Sequence, residues 1–267
     1  MKVLKKIILR TLFVGSLLYL LICIGLYSYQ ERLIFFPSTL PATTAFNFEG
    51  NFEEVTLSTS DQHNLHGLLF RSDSAKGVIL YLHGNAGSLE SWGQIAPTYT
   101  NLGYDIFLLD YRGYGKSTGK INSEQQFYED SQLAYNWVKN KYPESQITLL
   151  GYSIGTATAA RLAAQNHPQQ LILQAPYYSL VDMMQQHYPL APTFLLKYRF
   201  ETYTFIPQIK APVTIFHGDK DAIIPLHSSL RLKALFKPVD RLIILPNAGH
   251  NGMTNNAHYL TALKQIL

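Results

Sequence analysis

The sequence predicts an α/β protein: an eight-stranded, mostly parallel sheet with helices on both faces, preceded by one N-terminal transmembrane helix. Two observations lead to this class. Beyond about residue 50, short apolar runs rich in β-branched and aromatic residues alternate with longer stretches of helical period, which is the pattern of a sheet covered by helices. Before that point lies a continuous apolar run over 7–27 that follows a basic tip.

The apolar run is long enough to cross a membrane, because about 20 helical residues at roughly 1.5 Å each match a hydrocarbon core of about 30 Å. Four basic residues precede or begin it: Lys2, Lys5, Lys6 and Arg10. This bias favours a cytoplasmic N-terminus. We expect the rest of the chain on the non-cytoplasmic side, which is the periplasm in a bacterium and the lumen or exterior in a eukaryote.

Two alternatives to a membrane anchor remain, a cleaved signal peptide and a buried core helix. The run is long for a signal peptide, and no A-x-A-like site follows it. We therefore expect an uncleaved signal anchor over 1–28, a juxtamembrane segment over 29–49 and a catalytic domain over 50–267. The stretch RLIFFP at 32–37 either lies at the bilayer interface or packs on the domain as an apolar strap.

The composition excludes several classes of protein. With 47% hydrophobic and 15% charged residues, the chain is too apolar to be disordered. Lys and Arg number 22 against 18 Asp and Glu, but the four basic residues of the tip account for the excess, so no nucleic-acid partner is expected. The single cysteine, Cys23, lies in the apolar run and excludes disulfides within the chain and a thiol nucleophile in the domain.

The elements of the domain follow from these periodicities. Strands are predicted over 54–59, 65–70, 78–82, 105–109, 147–150, 171–174, 213–216 and 241–245. Helices are predicted over 88–100, 123–141, 154–166, 226–236 and 254–267. The first two strands form a hairpin, and the others are parallel. Ligands of such sheets bind outside the carboxyl ends of the strands, so functional residues are expected directly after strands.

A possible nucleophile follows the strand at 147–150. The sequence there is Gly151-Tyr152-Ser153-Ile154-Gly155, a G-x-S-x-G pattern between a strand and an Ala-rich helix. The two glycines permit a sharp turn that exposes the serine hydroxyl, and the helix N-terminus favours a developing anion. The alternative is a serine that only caps a helix.

A serine nucleophile needs a base and an acid that orients the base, in the chain order Ser, Asp or Glu, His. Asp221 and His250 follow the strands at 213–216 and 241–245 and fit this order. Asp219 and Asp182 remain alternatives for the acid, and a loop histidine that caps the last helix is the alternative for His250. For the oxyanion hole, we expect the backbone N–H groups of Ile154 and of Asn85 in the loop after 78–82. That loop can also be an ordinary glycine turn.

The segment 110–119 superficially resembles nucleotide-binding motifs but lacks the required glycines at 118 and 110. We interpret it as a structured turn in which Asp110 is hydrogen-bonded. No HExxH or EF-hand pattern occurs, so neither a metal nor a cofactor is expected.

Five motifs together resemble the α/β-hydrolase superfamily over roughly 50–267: HGNAG at 83–87, DYRGYGKS at 110–117, GYSIG at 151–155, HGDKD at 217–221 and AGH at 248–250. The N-terminal span, ERLIFFP and HGNAG resemble the membrane-anchored, short-capped serine hydrolases that include protein depalmitoylases. The resemblance implies a triad of Ser153, Asp221 and His250, with an oxyanion hole from Asn85 and Ile154.

Substrate choice is expected to depend on a short apolar cap at about 175–210. Tyr152, Met183, Met184 and Tyr188 are the predicted substrate-binding residues, unless the cap side chains only cover the sheet. The expected substrate is a small-molecule or lipid acyl ester close to the membrane that holds the N-terminal helix. Thioester or amide cleavage is an alternative, and a non-catalytic membrane-tethered binding or scaffold protein is the alternative of another class.

Overall fold

The computed structural model describes residues 1–267 and confirms the predicted fold class. One eight-stranded sheet forms the centre of the domain. Its strands are β2 (Phe52–Ser58), β3 (Asn64–Phe70), β4 (Gly77–Leu82), β6 (Tyr104–Leu109), β7 (Ile147–Tyr152), β8 (Gln170–Gln174), β9 (Val213–Gly218) and β10 (Arg241–Leu245). Their order is β10-β9-β8-β7-β4-β6-β3-β2. Only the β2–β3 and β3–β6 pairs are antiparallel.

All eight predicted strands are present, most of them extended by one or two residues. The predicted hairpin is formed by β2 and β3. Two further strands of two residues each, β1 (Phe36–Pro37) and β5 (Ala86–Gly87), pair in parallel outside the main sheet. The sequence does not predict this pair, because two residues are too few to show a period.

Helices cover both faces of the sheet. The α-helices are α1 (Lys2–Ile34), α2 (Leu89–Trp92), α3 (Ala96–Thr100), α4 (Glu124–Lys139), α5 (Gly155–Gln165), α6 (Leu180–His187), α7 (Thr202–Phe205), α8 (His227–Lys233) and α9 (Ala257–Ile266). The predicted helix at 88–100 consists of two short helices joined by a 3₁₀ turn. The cap contains two helices, α6 and α7, that were not predicted from the sequence.

Side chains of successive strand residues pack in two separate cores. Along β4, Val78 and Leu80 belong to a core of 37 buried residues on one face. Ile79 and Tyr81 belong to a core of 19 on the other. Because side chains alternate across a strand, this division shows that both faces of β4 are buried under helices.

The N-terminal helix is longer than the apolar run and continues to Ile34. Its most apolar window of 18 residues has a mean hydropathy of 2.4 and is 6% buried, so the helix is a candidate membrane span. Phe35 follows it directly and is 5% exposed in the core, against the rings of Phe127 and Tyr198. Within the stretch after the apolar run, Phe35 therefore packs on the domain, while Leu33 and Phe36 are 57% and 53% exposed.

Candidate active site

Ser153 lies in a sharp turn between β7 and α5. Its φ of 51° is in the left-handed region, which is uncommon for a residue with a side chain. A Cβ atom at Gly151 would lie 2.6 Å from the carbonyl oxygen of Gly155, and one at Gly155 would lie 2.2 Å from that of Leu82. Both positions therefore exclude side chains, and this explains the two glycines of the motif.

The structure brings Ser153, His250 and Asp221 together although 97 residues separate the first two. Nε2 of His250 lies 3.0 Å from Oγ of Ser153. Nδ1 of the same ring lies 2.7 Å from Oδ2 of Asp221. The imidazole thus contacts a hydroxyl with one nitrogen and a carboxylate with the other, which is the arrangement that general-base activation of a serine requires.

Asp221 is held as a carboxylate. Burial alone would raise its pKa, but hydrogen bonds from His217 and His250 and from the N–H of Ile224 outweigh burial and hold the pKa of Asp221 well below its usual range. Its Oδ1 accepts the backbone N–H groups of Ile223 and Ile224 at 2.9 and 2.8 Å. His217 lies behind the carboxylate, with Nε2 3.4 Å from Oδ2.

The alternative acids lie elsewhere. Asp219 is exposed and makes no side-chain hydrogen bond. Asp182 is in the first turn of α6, where it forms an ion pair with Arg231. Of the three acids considered from the sequence, Asp221 alone contacts His250.

The backbone N–H groups of Asn85 and Ile154 donate to no protein acceptor, and both residues line the same cleft as Ser153. The Asn85 loop is braced from the DYRGYG turn. The hydroxyl of Tyr111 donates to the carbonyl oxygen of His83 at 2.8 Å, and that of Tyr114 donates to the carbonyl oxygen of Asn85 at 2.6 Å. Two free N–H groups beside a serine hydroxyl can stabilise an oxyanion.

The DYRGYG segment itself is a turn, as predicted. Both carboxylate oxygens of Asp110 accept the backbone N–H of Leu89, at 3.1 and 3.2 Å. Through this hydrogen bond, the segment that follows β6 holds the first residue of α2. Its glycines serve the turn and the packing of Asp110, because a Cβ at Gly115 would lie 1.9 Å from Oδ2 of Asp110.

An apolar cleft of about 440 Å³ opens at Ser153. Three of the four predicted substrate-binding residues line it: Met183, Met184 and Tyr188. Tyr152 does not, and this part of the prediction is corrected. Its ring packs against Trp92, and its hydroxyl donates to the backbone carbonyl of His250. Tyr152 therefore faces away from the cleft and supports the loop that contains His250.

The N-terminal helix forms one wall of the cleft, a contact that was not predicted from the sequence. Leu26, Gln30, Leu33 and Ile34 line it from α1. Gln30 is 5% exposed, and its side chain bonds the cap at both ends: Nε2 donates to the carbonyl of Leu195 at 3.0 Å, and Oε1 accepts the N–H of Lys197 at 2.8 Å. The sequence signal for this contact is Gln30 itself, an uncharged amide three residues after the apolar run ends at Tyr27.

Comparison with known proteins agrees with this geometry. A family model described as alpha/beta hydrolase fold matches residues 77–203. An uncharacterised protein of Mycobacterium tuberculosis is 33% identical over 85% of this chain and 82% of its own length. The chain belongs to the α/β-hydrolase family, and the resemblance inferred from its motifs is confirmed.

Relatives also occur in eukaryotes. Protein bem46 of Schizosaccharomyces pombe is 34% identical over 79% of this chain and 76% of its own length. The human alpha/beta hydrolase domain-containing protein 17B is 34% identical over 73% and 68%. Among solved structures, an esterase of Pyrococcus furiosus has the same fold with a TM-score of 0.68 and 19% identity, covering 85% of this chain and 96% of that one.

Proposed function

We propose that this protein is a membrane-anchored serine hydrolase that cleaves carboxylic acyl esters. The observation that carries the proposal is the hydrogen-bonded array of Ser153, His250 and Asp221 at the mouth of an apolar cleft. Ser153 is the nucleophile, His250 the general base and Asp221 the group that orients the imidazole. Membership of the hydrolase family and the fold of a solved esterase support the same reaction.

The reaction proceeds through an acyl-enzyme. His250 takes the proton of the Ser153 hydroxyl as its oxygen attacks the substrate carbonyl, and the N–H groups of Asn85 and Ile154 stabilise the oxyanion. The tetrahedral intermediate collapses, and His250 transfers the proton to the departing alcohol. Water then attacks the acyl-enzyme with His250 again as base, which releases the carboxylic acid and restores the serine.

The cleft favours a substrate with a long acyl chain. Fourteen of its 18 lining residues are hydrophobic, and Met183 and Met184 offer flexible apolar side chains. The same groups can also cleave a thioester, since the nucleophile and the oxyanion donors are shared and only the leaving group differs. The resemblance to depalmitoylases makes an acyl thioester the second substrate class to test.

For the location, we propose that α1 is an uncleaved anchor with a cytoplasmic N-terminus and the domain on the opposite side. The support is the basic tip before the apolar run and the packing of α1 against the cap. Retention of the first residues in the mature protein, read by N-terminal sequencing, and protease accessibility of the domain in sealed vesicles test this assignment.

The catalytic proposal is tested by fluorophosphonate labelling of the full-length protein in detergent. The wild type is compared with Ser153→Ala and with Ser60→Ala, an exposed serine that serves as the matched control. Turnover of p-nitrophenyl butyrate and of a butyryl thioester is followed in parallel. We expect labelling and turnover in the wild type and the control and neither in Ser153→Ala. A folded wild type that is not labelled would reject the catalytic assignment and favour a binding protein.

A further inference from the structure

The cap contains an apolar loop whose exposure is unusual for the surface of a soluble protein. Residues 188–196, here called the cap loop, read YPLAPTFLL and include no charged residue. Leu190 and Phe194 are 84% and 81% exposed. Two large apolar side chains at this exposure within one short uncharged loop indicate a surface that is covered by something other than water.

The cap loop lies beside the membrane-spanning part of α1. The hydroxyl of Tyr19 donates to the carbonyl oxygen of Leu190 at 2.9 Å. Tyr19 precedes the end of the apolar run at Tyr27 by eight residues, which is roughly 12 Å along the helix axis. A bilayer that surrounds the apolar run of α1 therefore also surrounds Leu190.

The level of the membrane surface is marked by charges. After Arg10, the first charged residue of α1 is Glu31, and the first after the cap loop is Lys197. Their side chains form an ion pair of 3.0 Å. The two elements thus become polar at the same height, as expected where both leave the hydrocarbon for the interface.

Backbone polarity in the cap loop is reduced in ways suited to lipid. Pro189 and Pro192 have no N–H group to satisfy. The carbonyl oxygens of Leu190 and Leu195 accept hydrogen bonds from side chains of α1. Irregular backbone at membrane depth needs protein groups to satisfy it, and these bonds meet part of that requirement.

We propose that the cap loop is embedded in the bilayer beside α1 and that the acyl chain of a lipid ester enters the cleft directly from the membrane. This inference rests on the proposed hydrolase function for the identity of the entering group. The cleft is walled by α1 and by the same cap, through Leu26, Leu33 and Leu196 among others, and fourteen of its 18 lining residues are hydrophobic, so an acyl chain that enters beside α1 meets a mostly apolar surface. Substrates of this class remain in the membrane during transfer and need not cross water.

Depth is tested with a fluorophore attached in the Phe194→Cys variant, in a Cys23→Ala background, reconstituted into phosphatidylcholine vesicles. Val239→Cys is the matched control: it is 57% exposed and precedes β10, at the end of the sheet opposite the cleft. We expect brominated acyl chains to quench the label at 194 only and aqueous iodide to quench the label at 239 only. Quenching at 194 by iodide would overturn the proposal. Protection at 194 from both quenchers would also overturn it, in favour of a second copy of the chain.

The transfer of substrate from the membrane to the cleft is tested with Phe194→Glu, and Phe194→Leu is the control. Phe194 does not line the cleft. We expect kcat/KM for p-nitrophenyl palmitate dissolved in vesicles to fall about tenfold or more in Phe194→Glu only, because a carboxylate is costly at membrane depth. Turnover of p-nitrophenyl acetate from water stays unchanged. Full vesicle activity in Phe194→Glu would overturn membrane entry alone. Absence of all turnover and labelling in the wild type would instead reject the hydrolase, and the quenching result would still decide the position of the loop.

Discussion

Nδ1 of His83 donates a hydrogen bond of 2.6 Å to the carbonyl oxygen of Gly84. That carbonyl shares its peptide group with the N–H of Asn85. Because a trans peptide is planar and its N–H and C=O point in opposite directions, the histidine determines where the Asn85 N–H points. His83 is fully buried against the ring of Tyr111, at a centroid distance of 4.4 Å, and is thereby held in place.

His83 is accordingly a positioning residue for the proposed oxyanion hole. Replacing it by leucine should lower kcat by about ten- to a hundredfold, less than the full loss of an oxyanion donor, with little change in KM. His83→Asn is the matched control, since its amide can reach the same carbonyl, and it should recover most of the activity. Steady-state kinetics with p-nitrophenyl butyrate measures both. Equal losses in the two variants would show that packing, and not the hydrogen bond, matters.

The carboxylate of Asp221 links activity to acid stability. Its pKa is lowered in the folded chain, so its stabilising contribution is complete above the ordinary carboxyl pKa of about 4 and is lost as pH falls through the lower folded value. Asp221→Asn should reduce kcat by about 10⁴ because the imidazole loses its orienting charge. The difference in free energy of unfolding between the two proteins should be largest near pH 7 and shrink below about pH 4.

Unfolding by guanidinium in detergent micelles from pH 7 to pH 3 measures this difference. Asp219→Asn is the control, because Asp219 is exposed and makes no side-chain hydrogen bond. It should match the wild type at every pH. A difference for Asp221→Asn that stays constant with pH would contradict the assigned ionisation.

A buried ion pair supports the turn that braces the Asn85 loop. Arg112 and Asp130 are 4% and 6% exposed and form two hydrogen bonds of 2.6 and 2.9 Å. Arg112→Met should destabilise the fold by about 3–5 kcal/mol, because it leaves a buried carboxylate without a partner. The double variant Arg112→Met/Asp130→Leu should recover most of that loss. Thermal unfolding of the three proteins tests this, and a single variant as stable as the wild type would refute it.

Two glycines near the serine differ in their tolerance of a side chain. Gly155→Ala should abolish activity and impair folding, since the added methyl group would lie 2.2 Å from the carbonyl oxygen of Leu82. Gly249→Ala, next to His250, meets no atom within 4 Å and should be tolerated. Expression level and fluorophosphonate labelling compare the two directly. Normal labelling of Gly155→Ala would disprove the steric requirement.

Local patterns were sufficient for the eight strands of the sheet, though not for their order, and for the candidate catalytic residues. Each strand carries its own apolar run, and Ser153, Asp221 and His250 all follow strands at the edge where ligands of such sheets bind. What could not be predicted depends on contacts between distant parts of the chain. Gln30 meets Leu195 across 165 residues, and the orientation of Tyr152 depends on a carbonyl 98 residues away. No periodicity within either segment contains that information.

The junction between α1 and the domain has a kinetic consequence. A flexible tether of n residues allows a domain to range over about 5–6 Å × √n. Here the helix ends at Ile34 and the next residue is already in the core, so the tether has no length. With α1 in a membrane as proposed, the serine stays at one height above the bilayer and in one orientation. The rate at which the serine meets a substrate held in the membrane is therefore governed by lateral diffusion and by the number of substrate molecules per unit of membrane area. The concentration of substrate in the surrounding water does not govern it.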